Sequence, residues 1–154
     1  MPVPIELPPR GTHGNRTPGG SFLRVGARMM AGLYRRTGGR ANPNALILTT
    51  IGAKTGEERT ASLRRFDDGD GRWLVTGANG ASAKHPGWLI NLARNPDRVW
   101  VEVRRDRFKV TPEVLHGDDR TAAWQRVVRE VPAYGPYVNK TDREISVVRL
   151  TRDS

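Results

Sequence analysis

Apolar positions along the chain change their period several times, and each change predicts an element. Over Ser21–Arg36, Phe22, Val25, Met29 and Leu33 recur at helical spacing. Ser21 stands where an N-cap belongs, and Gly38-Gly39 end the run. This predicts an amphipathic helix whose apolar face packs on the rest of the chain. After Pro43 the period shortens to that of strands. Ala45–Ile51, Arg59–Phe66, Trp73–Thr76, Val99–Arg104, Phe108–Leu115 and Glu144–Leu150 read as six strands. Asp67-Asp68-Gly69-Asp70-Gly71 marks a turn, and a hairpin is expected about Arg105-Asp106. Two further helices are expected: Trp88–Arg94, opened by Pro86 and closed by Asn95-Pro96, and Asp118–Glu130. Hairpin connections with segregated helices predict an α+β fold, a mostly antiparallel six-stranded sheet closed toward a barrel. Residues 1–20, with five prolines and four glycines, read as a disordered or loosely ordered tail before a single domain over 21–154.

Length and composition narrow the function. A chain of 154 residues is one domain, large enough to bury a core. It has no cysteine, which excludes a disulfide scaffold, a thiolate metal site and a cysteine nucleophile. No stretch is apolar for long enough to span a bilayer, and no secretory pattern opens the chain. A cytoplasmic protein is expected. The 26 Lys+Arg against 16 Asp+Glu give a formal charge of +10, a surface that attracts polyanions. Nearly all of it is arginine, with lysine only at Lys54, Lys84, Lys109 and Lys140. Specific nucleic-acid binding is not expected, because no helix-turn-helix pattern is present and aromatics do not interleave with the arginines.

The chain offers few reactive groups of its own. There is no GxSxG or GxGxxG, and His13, His85 and His116 are scattered without metal-ligand spacing. If the protein is an enzyme, a cofactor does the hard chemistry. Three clusters stand out. In Thr49–Thr60, a turn with Gly52 and Gly56 is flanked by Lys54 and Arg59, with hydroxyls at Thr55 and Thr60. It is similar to a phosphate-binding turn without meeting the Walker pattern, and it also fits a plain hairpin with solvated charges. In Gly77–Trp88, small residues admit a flat ligand, Lys84 and the following helix favour negative charge, and Trp88 offers a wall. The same stretch fits a connecting loop with Trp88 in the core. In Tyr134-Gly135-Pro136-Tyr137, two tyrosines can line a pocket or simply pack a loop on the barrel.

Read in order, these clusters resemble the deazaflavin-dependent nitroreductase family within the FMN-binding split-barrel group. The resemblance is carried by Gly52-Ala53-Lys54-Thr55-Gly56-Glu57-Glu58-Arg59, by Lys84-His85-Pro86-Gly87-Trp88-Leu89-Ile90-Asn91-Leu92-Ala93-Arg94-Asn95-Pro96, and by Pro132–Tyr137 with Thr141–Ile145. It covers residues 22–150, and the chain departs from the pattern at Ser62, Asn79, Ala81, Val131 and Ser146. The resemblance implies a split β-barrel that binds coenzyme F-420, an 8-hydroxy-5-deazaflavin with a phosphate and a glutamate tail. It implies that Lys54, Thr55, Arg59 and Thr60 hold the phosphate and tail. Gly77, Ala78, Asn79, Gly80 and Lys84 would run along the ring or its linker, and Trp88 would wall the pocket. Tyr134 and Tyr137 would face the substrate, with Tyr134 as proton donor. The implied reaction is hydride transfer to a quinone, activated enone or nitroaromatic compound. Alternatives are a non-catalytic carrier of a fatty acyl or other lipid ligand, and an FMN-binding protein of the same fold. A homodimer fits the fold group, and the basic helix at 21–36 either packs on the barrel or contacts the inner face of an anionic membrane.

Overall fold

The computed structural model describes residues 3–15, 20–78 and 83–153; Asn79, Gly80 and Ala81 lie outside the described residues, as do the side chains of residues 20–23. The chain runs α1 (Gly20–Arg36), β1 (Ala45–Ile51), β2 (Glu58–Arg64), β3 (Phe66–Asp67), β4 (Arg72–Thr76), α2 (Gly87–Arg94), β5 (Trp100–Val103), β6 (Asp106–Val114), α3 (Gly117–Glu130), a 3-10 helix (Pro132–Asn139) and β7 (Val147–Arg152). The strands form one antiparallel sheet in the order β2-β1-β5-β6-β7-β4-β3. Seven strands stand where the sequence pattern predicts six. The extra strand arises because the expected strand Arg59–Phe66 breaks at Arg65. The Arg65 N–H donates to the Asn44 carbonyl at 2.8 Å, and its guanidinium donates to the Ala45 carbonyl. Phe66 then pairs with Leu74 as β3.

The long strand β6 makes the sheet curl. Its first part pairs with β5, from Asp106 opposite Val103 to Lys109 opposite Trp100. Its second part pairs with β7, from Val110 opposite Arg152 to Val114 opposite Val148. One strand therefore belongs to both halves of the barrel. The β5–β6 hairpin turns one residue earlier than expected, at Arg104-Arg105, with Arg104 in the left-handed region at φ 57°. Strand β7 starts later than the expected Glu144, because the Ile145 carbonyl accepts two hydrogen bonds from Arg120 instead of joining the ladder.

The core divides among the faces of the sheet. Leu46, Leu48, Val75, Leu89, Leu92, Val101, Val148 and Leu150 fill the barrel interior, with α2 closing one end. Phe66, Leu74, Leu115, Val127 and Val147 form a second cluster under α3. Ala31 and Tyr34 of α1 pack on Ala45 and Ile47 of β1. Covered on both faces, β1 is buried throughout, with Thr49 and Thr50 its two polar residues.

The packing face of α1 differs from the expected one. Val25, Met29 and Leu33 are 56%, 70% and 47% exposed, whereas Ala31 and Tyr34 are buried. Neighbouring helix positions differ by about 100°, so the docked stripe lies beside the apolar one. Tyr34 selects it: its hydroxyl donates to the Ala45 carbonyl at 3.1 Å and accepts the Arg104 N–H at 2.7 Å. An aliphatic side chain offers no such anchor.

Residues 3–15 have no regular secondary structure but make defined contacts. The Ile5 N–H donates to the Ala93 carbonyl at 2.8 Å and the Gly11 N–H to the Ala83 carbonyl at 2.9 Å. Thr12 donates to Asp142 through both N–H and hydroxyl, and the Thr141 hydroxyl donates to the His13 carbonyl.

Candidate functional site

The turn between β1 and β2 closes on itself through its glycines. The Gly52 N–H donates to the Glu57 carbonyl at 2.7 Å, and the Gly56 N–H to the Gly52 carbonyl at 2.9 Å. A side chain at Gly52 would meet the Thr55 hydroxyl at 2.7 Å, and Gly56 holds φ 72°, so both positions favour glycine. The Thr55 hydroxyl accepts from Glu57 N–H at 3.3 Å. Helix α2 fixes the other side of the turn: Asn91 Oδ1 accepts the Ala53 N–H at 3.0 Å. Lys54 is exposed at the tip.

Beside this turn, α1 and the outer face of the sheet enclose a groove of about 470 Å³. It is lined by Arg24, Arg28 and Arg35 of α1, Arg59 and Thr60 of β2, and Arg107 of β6, with Thr49, Glu58 and Glu102. Five arginines against two glutamates leave an excess of three positive charges. Arg35 is already engaged: its Nε and Nη2 each donate to Glu102 at 2.7 Å. That hydrogen bond, opposed by partial burial, holds the Arg35 guanidinium above its ordinary pKa. Arg59 leans on Glu57 at 3.0 Å. The groove thus suits a ligand with several negative charges.

Strand β2 leads from the groove toward the rings beneath α3. Successive strand residues alternate faces, so Thr60, Ser62 and Arg64 share the face that pairs with Thr49, Ile47 and Ala45. Four residues span about 13 Å at the usual strand rise. At the far end, the Arg64 guanidinium lies 5.3 Å over the Phe66 ring. Phe66 meets the Tyr134 ring edge-on at 6.2 Å. Tyr134 stacks on Trp124 at 6.5 Å and tilts against Tyr137 at 5.4 Å. Burial raises the Tyr134 pKa, so its hydroxyl stays protonated at neutral pH.

The loop from β4 toward α2 is built differently. Gly77 and Ala78 are buried, and Arg143 donates to their carbonyls at 2.8 and 2.9 Å. His85 lies 3.3 Å from Arg143 through Nδ1 and 2.7 Å from the Pro8 carbonyl through Nε2. Burial, reinforced by Arg143, lowers the His85 pKa and keeps the ring neutral. Trp88 is partly buried against the barrel interior.

The structure therefore brings Thr55, Arg59 and Thr60 together at the turn and groove. Tyr134 and Tyr137 form a separate aromatic cluster with Phe66 and Trp124. Gly77, Ala78 and Trp88 sit against α2 and Arg143, and Asn79 and Gly80 are not described. Sequence reasoning missed Arg24, Arg28, Arg107, Asn91 and Arg143. Arg24, Arg28 and Arg35 had a readable signal, since their spacing places them on one helical face.

A family model described as F-420H(2)-dependent quinone reductase matches residues 23–152. An F-420H(2)-dependent quinone reductase of Mycobacterium tuberculosis is 41% identical over 135 residues, covering 81% of this chain and 89% of that protein. A solved F-420-H2 dependent reductase (FDR-A) is 32% identical at a TM-score of 0.62, covering 70% of this chain and 93% of that one. A structure described as a domain-swapped dimer is 29% identical at a TM-score of 0.65, covering 80% and 94%. The split-barrel resemblance read from the motifs is thus placed under a quinone-reductase rather than a nitroreductase name. With a family model spanning residues 23–152 and 41% identity to a full-length relative, the chain belongs to the F-420H(2)-dependent quinone reductase family.

Proposed function

We propose that the protein is an oxidoreductase that passes a hydride from reduced coenzyme F-420 to a quinone. The observation that supports this most is the groove itself, where five arginines from α1, β2 and β6 gather around Thr49 and Thr60 against two glutamates. The donor set fits the cofactor: its phosphate and glutamate carboxylates are the anions that Arg24, Arg28, Arg59 and Arg107 suit. Lys54, Thr55, Arg59 and Thr60 hold the phosphate and tail. Gly77, Ala78, Asn79, Gly80 and Lys84 run along the ring or its linker, and Trp88 walls that side. When bound, the reduced deazaflavin supplies the hydride. The chain orients the acceptor and excludes water around it. Tyr134 gives the proton that completes reduction, and its raised pKa keeps that proton available at neutral pH.

Titration with oxidised coenzyme F-420, with FMN in a parallel cell, tests this reading, followed by turnover of a simple naphthoquinone. Saturable F-420 binding that weakens with salt, and quinone reduction, are expected. Binding of FMN alone, or of neither, overturns the cofactor assignment. F-420 binding without turnover of any quinone overturns the acceptor.

The exposed stripe of Val25, Met29, Met30 and Leu33 supports a second proposal. No described helix is long and apolar enough to cross a membrane. A short apolar stripe flanked by Arg24, Arg28 and Arg36 suits peripheral contact with an anionic bilayer, where lipid-soluble quinones reside. Co-sedimentation with anionic vesicles at low salt is the test, and absence of pelleting ends the idea.

A further inference from the structure

Arg64 stands apart from the other arginines around it. Arg65 donates to the Ala45 carbonyl, Arg126 and Arg149 pair with Asp68, and Arg120 binds the Ile145 carbonyl. Arg64 has no ion pair and no hydrogen bond among the described residues; its Nε is shut away from solvent without a partner, while its terminal Nη groups reach the surface. Leaving a buried donor unpaired is costly, and chains seldom keep one without a use. Its guanidinium rests over Phe66, next to the ring of Tyr134.

The surroundings define what the donors await. Trp124, Tyr134 and Tyr137, partly exposed around the buried Phe66, offer aromatic surface that suits a flat ring. The Arg64 cation lies against this cluster, to which Tyr134 contributes its hydroxyl. The shared chemistry is a planar ring with an oxygen that carries, or acquires, negative charge.

We propose that Arg64 is the acceptor-binding residue of this protein, holding the quinone oxygen that becomes negative when hydride arrives. The inference rests on the acceptor site proposed above. Hydride addition brings two electrons to the quinone and leaves one oxygen as an oxyanion. The Arg64 donors hold that oxygen, the Tyr134 hydroxyl protonates it to give the hydroquinone, and water returns a proton to Tyr134. The charge of Arg64 also tunes specificity. It favours acceptors already bearing an acidic hydroxyl beside the carbonyl over unsubstituted quinones.

Calorimetric titration with two probes tests this, on the cofactor-free protein and on the protein saturated with oxidised coenzyme F-420. The probes are 2-hydroxy-1,4-naphthoquinone, an anion at neutral pH, and uncharged 1,4-naphthoquinone. The wild-type protein should bind the anion more tightly. Arg64→Met should weaken the anion about tenfold or more while changing the neutral probe little, and Arg64→Lys should restore part of the loss. Arg72→Met, an exposed arginine outside the site, controls for net charge and should change neither. Equal anion binding by Arg64→Met and wild type overturns the role of Arg64 and leaves the acceptor site standing. Failure of both probes to bind wild type in both forms overturns the acceptor site itself. Thermal melting of each variant separates loss of binding from loss of fold.

Discussion

The Tyr34 hydroxyl accepts the Arg104 N–H at 2.7 Å, tying the last turn of α1 to a hairpin turn seventy residues on. The same hydroxyl donates to the Ala45 carbonyl. One buried oxygen therefore holds α1, β1 and the β5–β6 turn in register, and α1 is one wall of the arginine groove. Tyr34→Phe keeps the ring but strands the Arg104 N–H, while the Ala45 carbonyl keeps its Arg65 donor. A loss of about 1–3 kcal/mol is expected, read from the midpoint of urea unfolding. An unchanged midpoint would mean that α1 docks through ring packing alone.

Groove charge should set cofactor affinity. Arg28→Ala and Arg59→Ala should each weaken F-420 binding about tenfold at low salt, with the difference shrinking as salt is added. Wild-type affinity in both variants would move the phosphate and tail away from this groove.

Tyr134 lies outside the groove, so its removal should separate binding from chemistry. Tyr134→Phe should lower kcat about tenfold or more and leave the F-420 dissociation constant unaltered. Burial raises the tyrosine pKa, so the wild-type rate should show no loss of this donor at neutral or mildly alkaline pH. An unchanged rate in the variant would assign the proton to solvent.

Asp142 reports the docking of the N-terminal segment. Hydrogen bonds from the Thr12 hydroxyl and N–H, with one from the His13 N–H, pull its pKa down to about 2. A depressed carboxyl stabilises the fold above its unfolded pKa, and that contribution fades as pH falls through about 2. Thr12→Val should raise the Asp142 pKa toward the ordinary carboxylate value in a carbon-detected NMR titration. A value still near 2 would show that the backbone donors suffice.

Much of the barrel was legible because strand patterning and turn chemistry agree. Ala45–Ile51 is bounded as read, and the glycines of Asp67–Gly71 turn where expected. The break at Arg65 was not legible, because it depends on carbonyls of Asn44 and Ala45 that reach Arg65 only through tertiary packing. The packed face of α1 misled for a related reason. Hydrophobic periodicity weighs Val25, Met29 and Leu33 by apolarity, whereas docking chose Tyr34 for a polar atom with two backbone partners. Lys54, Thr55, Arg59 and Thr60 were readable as a group because they are adjacent in the chain. Arg24, Arg28 and Arg107 join them only in space. Arg143 showed no pattern at all, since its carbonyl partners at Gly77 and Ala78 lie more than sixty residues away.

The clasp between Thr12 and Asp142 spans 130 residues of sequence. During synthesis Thr12 leaves the ribosome long before Asp142 exists, so the first segment made is among the last to find its place. Closing so long a loop is slow and entropically costly. Nascent chains that stop short of Asp142 leave Thr12 and His13 without their carboxylate partner. The clasp therefore forms only once the polypeptide extends past Asp142.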